Sequence, residues 1–430
     1  MNNDATMFLV ICSAMVLFMT PGLAFFYGGL VRASSVVSMM MMSFGSIAIV
    51  TVLWVLYGYA VSFSGAGSGD YIGWDGIFGI DLSNIGLNRL IEETVASNDG
   101  FALSFSGFQA TFAIITVALI SGAIADRAKF GAWMVFAAIW VSVVYFPVAG
   151  WVFNFHTSDT GLVDDGGWLV KDIGLLDFAG GTVVEIASGA SALALALVLG
   201  KRFGFTKGMH APHNVPLVLI GAGILWFGWF GFNAGSASAA NGSATVAFVS
   251  TLAAGVGGLM SWSAFDRIRN GKPTAVGAAS GAVSGMVAIT PSCGYLSPVW
   301  ALVLGVLVGI LCALAVDLKY ILGFDDSLDV VGIHLVAGVI GTLFIGLAGE
   351  VGGAPVGLFF TGDFGQLGKQ AIGVLAVGIF AFGASWLIAK GIEKTMGFRV
   401  SSVDEIAGVD SVMHGETAYS QADPRWSWRG

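Results

Sequence analysis

The chain has 430 residues, of which 56% are hydrophobic and only 10% charged, and its formal net charge is −9. A soluble domain carries roughly 25% charged residues, so this sequence cannot clothe a water-facing globule, and no nucleic-acid partner is expected. A polytopic protein of the lipid bilayer is what remains.

Apolar runs long enough for about 30 Å of hydrocarbon occur at approximately 7–30, 36–64, 101–126, 130–155, 177–200, 215–234, 244–266, 275–290, 296–317, 330–349 and 368–392. The expected fold is therefore all-α, with eleven transmembrane helices. The opening stretch MNNDATMF lacks the basic n-region of a signal peptide, and the apolar run behind it is too long for one. Arg32, Arg127, Lys129, Lys201, Arg202, Lys207, Arg267, Arg269, Lys272, Lys319, Lys390, Lys394 and Arg399 all follow odd-numbered runs. Loops after even-numbered runs hold only Arg89 and Lys171, with Lys369 at a helix edge. Lys and Arg collect on the cytoplasmic side, which predicts a plasma (inner) membrane protein with its N-terminus outside and its C-terminus in the cytoplasm. The net negative charge then belongs largely to the outer loops, which carry Asp70, Asp75, Asp159 and Asp172 among others, and suggests tolerance of cations at the entrance.

In chain order, the third run places Phe108 and Phe112 four apart on one helix face. The fifth opens DFAGGTVVEIASG, with Asp177 positioned to cap its first turn and Glu185 set inside apolar sequence. The sixth brings Trp229, Phe232 and Ser236 onto one face at i, i+3 and i+7. Such aromatic stripes are usually core, but a hydroxyl acceptor beside aromatic faces also suits an ammonium-type cation. Gly277, Gly281 and Gly285 give the eighth run a double GxxxG ridge, read as packing within one subunit. Cys12, Cys293 and Cys312 lie without metal-ligand spacing and read as small packing residues. The tenth run carries His334, behind an Asp329 that also reads as a cap. No metal centre or cofactor is expected. His156, His210, His213 and His414 are scattered near helix ends or in loops, without a nucleophile and base motif, which argues against a membrane enzyme.

Eleven helices divide as five, five and one, and a half with an odd number of spans must re-enter inverted. The internal match is faint: DFAGGTVVEIASG against DVVGIHLVAG, each with Asp, then Gly three later, then one ionisable group. At 1.5 Å per residue, Glu185 lies about 12 Å below the outer end of its helix and His334 about 8 Å above the inner end of its own. That leaves roughly 10 Å of axial gap, which tilt or offset ends must close. If they meet, acid and imidazole share a proton and escape the cost of an isolated buried charge. The alternative is a hydrogen bond that only fixes helix packing.

The segments FQATFAIITVALISGAIADR, DFAGGTVV, APHNVPLV, GWFGFNAGSA, TPSCGY, DDSLDVVGIH and HGETAY, in order across nearly the whole chain, resemble the signature segments of the ammonium transporter family (Amt, Mep and Rh proteins). The resemblance implies an inverted five-helix repeat plus a final helix, and a homotrimer with one pore per subunit. It implies ammonium recruitment at Ser236, Phe112, Phe153 and Asp177, a gate at Phe112 and Phe232, and a pore proton relay at Glu185 and His334. Two positions depart from the family pattern. Glu185 replaces the first pore histidine, as in some fungal Mep proteins, and Phe153 replaces the recruitment tryptophan, with Trp151 pointing off at about 200° on a helix.

Residues 1–396 are thus expected to form the transmembrane domain and 397–430 a cytoplasmic tail. The tail resembles the family segment that packs beneath neighbouring subunits and in many bacterial members contacts a PII-type signalling protein. The function implied is recruitment of NH4+ outside, its deprotonation, and passage of NH3 with associated proton translocation. An electroneutral NH3 channel and an ammonium sensor are the alternatives.

Overall fold

The computed structural model describes residues 3–63, 70–157, 163–206 and 211–419. Lys207, His210, Asp159 and the chain beyond Tyr419, which entered the sequence reading, lie outside the described residues. Among the described residues eleven apolar helices follow one another: α1 (Asp4–Leu30), α2 (Val36–Ser62), α3 (Phe101–Ile124), α4 (Phe130–Val152), α5 (Gly181–Leu199), α6 (Val215–Gly235), α7 (Gly242–Asn270), α8 (Ala275–Ile289), α9 (Pro298–Leu322), α10 (Val331–Ala348) and α11 (Gly365–Thr395). Ten of them are long and apolar enough to cross a membrane. α8 has only 15 residues and is the exception.

Helices are what such sequences must form, because in hydrocarbon each backbone group has to be satisfied within its own segment. Their starts are written in side chains that accept the free amides of the first turn. Asn214 accepts from Leu217 N at 3.0 Å at the head of α6, Asn241 from Ala244 N at 3.0 Å at α7, and Thr274 Oγ1 from Gly277 N at 2.9 Å at α8. α7 ends where Gly271 takes φ +78°, a left-handed stop that costs glycine little, after Arg267 and Arg269 in the last turn. Among the described residues strand is confined to three two-stranded hairpins, the first pairing Tyr71–Trp74 with Phe78–Asp81.

Glycine sets how closely the helices approach. A methyl placed on Gly22 would sit 2.7 Å from the Ile224 side chain, and one on Gly29 would sit 2.6 Å from Val218. One on Gly221 would lie 2.2 Å from Phe26 N, and one on Gly228 2.1 Å from Met19. α1 and α6 therefore touch almost backbone to backbone along their length. The α8 ridge does the same within the subunit, with Gly281 against Gly258 and Gly285 against Ala254 of α7.

α5 and α10 pack antiparallel and staggered. Gly189 abuts Leu335 while Gly338 abuts Glu185 and the Gly181 carbonyl, so each helix begins beside the middle of the other. Both open on a π-helical turn, Gly181–Ile186 and Val331–Leu335, a wide turn common at functional sites.

A layer of buried charge ties the loops following α3, α5 and α9. Arg202 donates from Nη1 to Asp126 at 2.9 Å and from Nη2 to Asp325 at 2.9 Å. Burial alone would raise the Asp325 carboxyl, but Arg202 and Arg127 hold it below the usual carboxylate range. Burial also brings Arg127 down to about 10. The tail runs beneath this layer. Glu405 accepts from Arg399 Nη2 at 2.7 Å and Phe203 N at 2.6 Å, and Asp410 accepts from Val37 N and Ser38 N at 3.0 and 2.8 Å, capping α2 from outside that helix.

Candidate functional site

The start of α5 builds one side of the site. Residues 177–180 are not helical, and Gly180 at φ +115° turns the chain into the helix. Asp177 then caps fully: Oδ1 accepts from Gly180 N and Gly181 N at 2.7 and 2.8 Å, and Oδ2 from Thr182 N and Thr182 Oγ1 at 2.7 and 2.5 Å. One turn further along, Glu185 is buried at 1% exposure. Its Oε2 lies 2.7 Å from Nδ1 of His334, so a single proton is held on this contact, donated either by Nδ1–H to the carboxylate or by the acid O–H to the ring. The expected axial gap is closed by the stagger of α5 and α10, which brings both helix starts toward the middle of the bundle.

A narrow, otherwise apolar cavity reaches this pair, walled by Ile115, Leu119, Leu225, Trp229 and Phe232. At the Phe232 end the ring stacks on Phe112 with centroids 3.9 Å apart and planes at 19°. Phe153 stands edge-on to Phe112 at 6.2 Å and 88°, and lies against Gly180. Ser236 is half-buried and donates its hydroxyl proton to Phe232 O at 2.9 Å, which leaves its oxygen lone pairs free to accept. Trp151 turns away, donating Nε1–H to Ile77 O and packing on Phe380.

One pairing in the sequence reading changes. The faint repeat matches Asp177 with Asp329, but the side chain that caps the head of α10 is that of Asp326, whose Oδ2 accepts from Val331 N at 2.7 Å. Asp329 sits at φ +63° and accepts from Lys319 Nζ at 2.6 Å instead of capping with its side chain. The spacing could have revealed this, since both Asp177 to Glu185 and Asp326 to His334 are eight residues apart. Thr182 and Tyr27 were not singled out either. The Tyr27 phenol donates to Leu119 O at 3.0 Å beside the cavity, and hydroxyls scattered among apolar residues give no periodic signal.

A bundle of membrane-length helices around an apolar cavity that reaches a buried acid and imidazole suits a multi-pass membrane transporter. The model of the Ammonium Transporter Family matches residues 7–419. An ammonium transporter of Mycobacterium tuberculosis is 47% identical over 98% of this chain and 91% of its own length, and one of Bacillus subtilis is 40% identical over 98% of this chain and 100% of its own. Among solved structures, Saccharomyces cerevisiae Mep2 superposes with a TM-score of 0.81 at 33% identity, covering 94% of this chain and 91% of that one. A Sensor Amt Protein superposes at 0.85 with 28% identity, covering 96% and 98%. The chain belongs to the ammonium transporter family, and it is an ammonium transporter, not an enzyme.

Proposed function

We propose that NH4+ is recruited between Ser236, Phe112 and Phe153 with Asp177 behind them, passes the Phe112–Phe232 gate after losing its proton, and crosses as NH3. The proton moves separately, and the Glu185–His334 pair relays it. In this reading Glu185 fills the place of the family's first pore histidine. The observation that carries it is the 2.7 Å contact between Glu185 Oε2 and His334 Nδ1 in an apolar cavity that Phe232, stacked on Phe112, helps to wall. A cation favours this outer group because a hydroxyl oxygen and aromatic faces both point negative charge toward it. The apolar rings then favour the neutral molecule over any ion.

The rest of the reading follows from the same resemblance. The chain crosses the plasma membrane eleven times, α8 included, as two inverted five-helix halves and a final helix over residues 1–396, with the N-terminus outside. Residues 397–430 form a cytoplasmic tail, the assembly is a homotrimer, and the tail is the surface for a PII-type regulator.

The test is ammonium-evoked current on purified protein in liposomes. Wild type should carry current, and Glu185→Gln, which keeps a hydrogen bond to His334 but cannot release a proton, should lose it and flatten the pH dependence. Wild-type current with a wild-type pH profile in Glu185→Gln would reduce the pair to helix packing. Flux without current in wild type would favour an electroneutral NH3 channel, and binding without flux an ammonium sensor.

A further inference from the structure

We propose that Asp326 is the inner proton acceptor of the transport cycle, receiving on Oδ1 the proton that ammonium gives to the Glu185–His334 pair. The inference rests on the reading of that pair as a relay.

The two capping carboxylates are equivalent in position and differ in what their oxygens do. Asp177 spends both oxygens on four hydrogen bonds and has no place for a proton. Asp326 is 1% exposed, gives Oδ2 to Val331 N, and leaves Oδ1 buried without a hydrogen-bond partner. A buried carboxylate oxygen with no donor is costly unless something visits it, and a proton is the smallest visitor.

Its surroundings favour a neutral form. Lys319 from α9 donates to Asp329 Oδ1 at 2.6 Å and to the backbone carbonyl of Asp326 at 2.9 Å, not to the Asp326 carboxylate. Two carboxylates and one ammonium carry a net charge of −1, and protonating Asp326 neutralises the group without breaking the Lys319–Asp329 pair. The neighbouring Asp325 is committed to Arg202. Asp326 caps the first residue of the helical turn Val331–Leu335 that carries His334, so the inner carboxylate and the imidazole share one helix start. Burial pushes the Asp326 carboxyl up to about 6, with Lys319 and the amides of Val331 and Val330 opposing and Asp329 adding to the rise.

The step balances as a proton transfer alone. The pair loses H+, Asp326 becomes a neutral acid, and the acid releases H+ to inner water, where NH3 takes it up. The next NH4+ at the gate refills the pair and enters as NH3.

Full-length protein in liposomes, with inner pH set independently, tests this. As inner pH falls through about 6, the acceptor is already occupied and wild-type current should fall. Asp326→Asn keeps an oxygen for Val331 N but cannot take a proton, and its current should drop at least about tenfold. Asp326→Glu should restore current with a moved midpoint. Infrared difference spectra of wild type between inner pH of about 5 and 7 should show a protonated-carboxyl band that is missing in Asp326→Asn. Wild-type current with the wild-type inner-pH profile in Asp326→Asn overturns the proposal, as does absence of the band in wild type. The relay reading fails separately, when Glu185→Gln retains current.

Discussion

At the scale of single residues, the proposed recruitment site turns on Phe153. Its ring stands edge-on to Phe112 and against Gly180, where a larger indole would present a stronger quadrupole to a cation. A cation–π contact is worth about 0.5–1 kcal/mol at an exposed site, and Trp exceeds Phe within that range. Phe153→Trp should therefore tighten apparent ammonium affinity by about threefold with little change in maximal flux. A concentration series in which affinity stays put would remove position 153 from recruitment. The gate makes the complementary demand. Phe232→Ala removes half of a stack with centroids 3.9 Å apart, and should admit water in stopped-flow swelling of proteoliposomes, whereas an unchanged rate would assign Phe232 to the core.

At the scale of elements, α5 and α10 meet through two glycines, and those fix the separation of the acid and the imidazole. A Cβ on Gly338 would lie 2.9 Å from Glu185 Cβ, which cannot swing aside as a chain end could. Overpacking of this kind costs about 1–3 kcal/mol. Gly338→Ala should cut ammonium-evoked current, while Gly383→Ala, where the added methyl meets nothing within 4 Å, should not. Equal currents would mean the pair tolerates displacement. The sequence displayed these helices by hydropathy, and it displayed Glu185 and His334 because charge inside apolar runs is conspicuous. It did not display their stagger, because helix ends set by Gly180 and by non-helical entry segments carry no periodicity. For the same reason it matched Asp177 to Asp329, the nearest acid in sequence, while capping geometry selects Asp326. In the buried charge layer, Arg202→Met would leave Asp325 and Asp126 without their shared cation, at about 3–5 kcal/mol. The thermal unfolding midpoint in detergent should fall clearly, and an unchanged midpoint would show that Arg127 and Arg32 suffice.

At the scale of the whole molecule, the tail is part of the frame. Asp410 caps α2, Glu405 binds Arg399 and Phe203 N, and the Tyr419 hydroxyl meets His213 Nε2 at 2.8 Å. The family segments ending in HGETAY made the tail visible in sequence, but not that its carboxylates finish helices elsewhere in the chain. Asp410→Ala should release residues beyond Arg399, and limited trypsin digestion should then cleave after Arg399 faster than in wild type. An unchanged cleavage rate would show that Glu405 alone holds the segment.

The seam of α1 and α6 also bears on how fast the protein can work. Carriers that rock one half against the other wait on collective motions of microseconds to milliseconds, whereas a ring turning about its own bonds needs picoseconds to nanoseconds. With Gly22, Gly29, Gly221 and Gly228 pressed into the facing helix, α1 and α6 are locked like meshed gears and leave no slack for rocking against each other. Turnover is then paced by the rings and the protons, not by the scaffold. Spin labels at the outer ends of α1 and α6 should report one distance distribution with and without saturating ammonium, and a shift of several ångströms would show the frame itself to be the moving part.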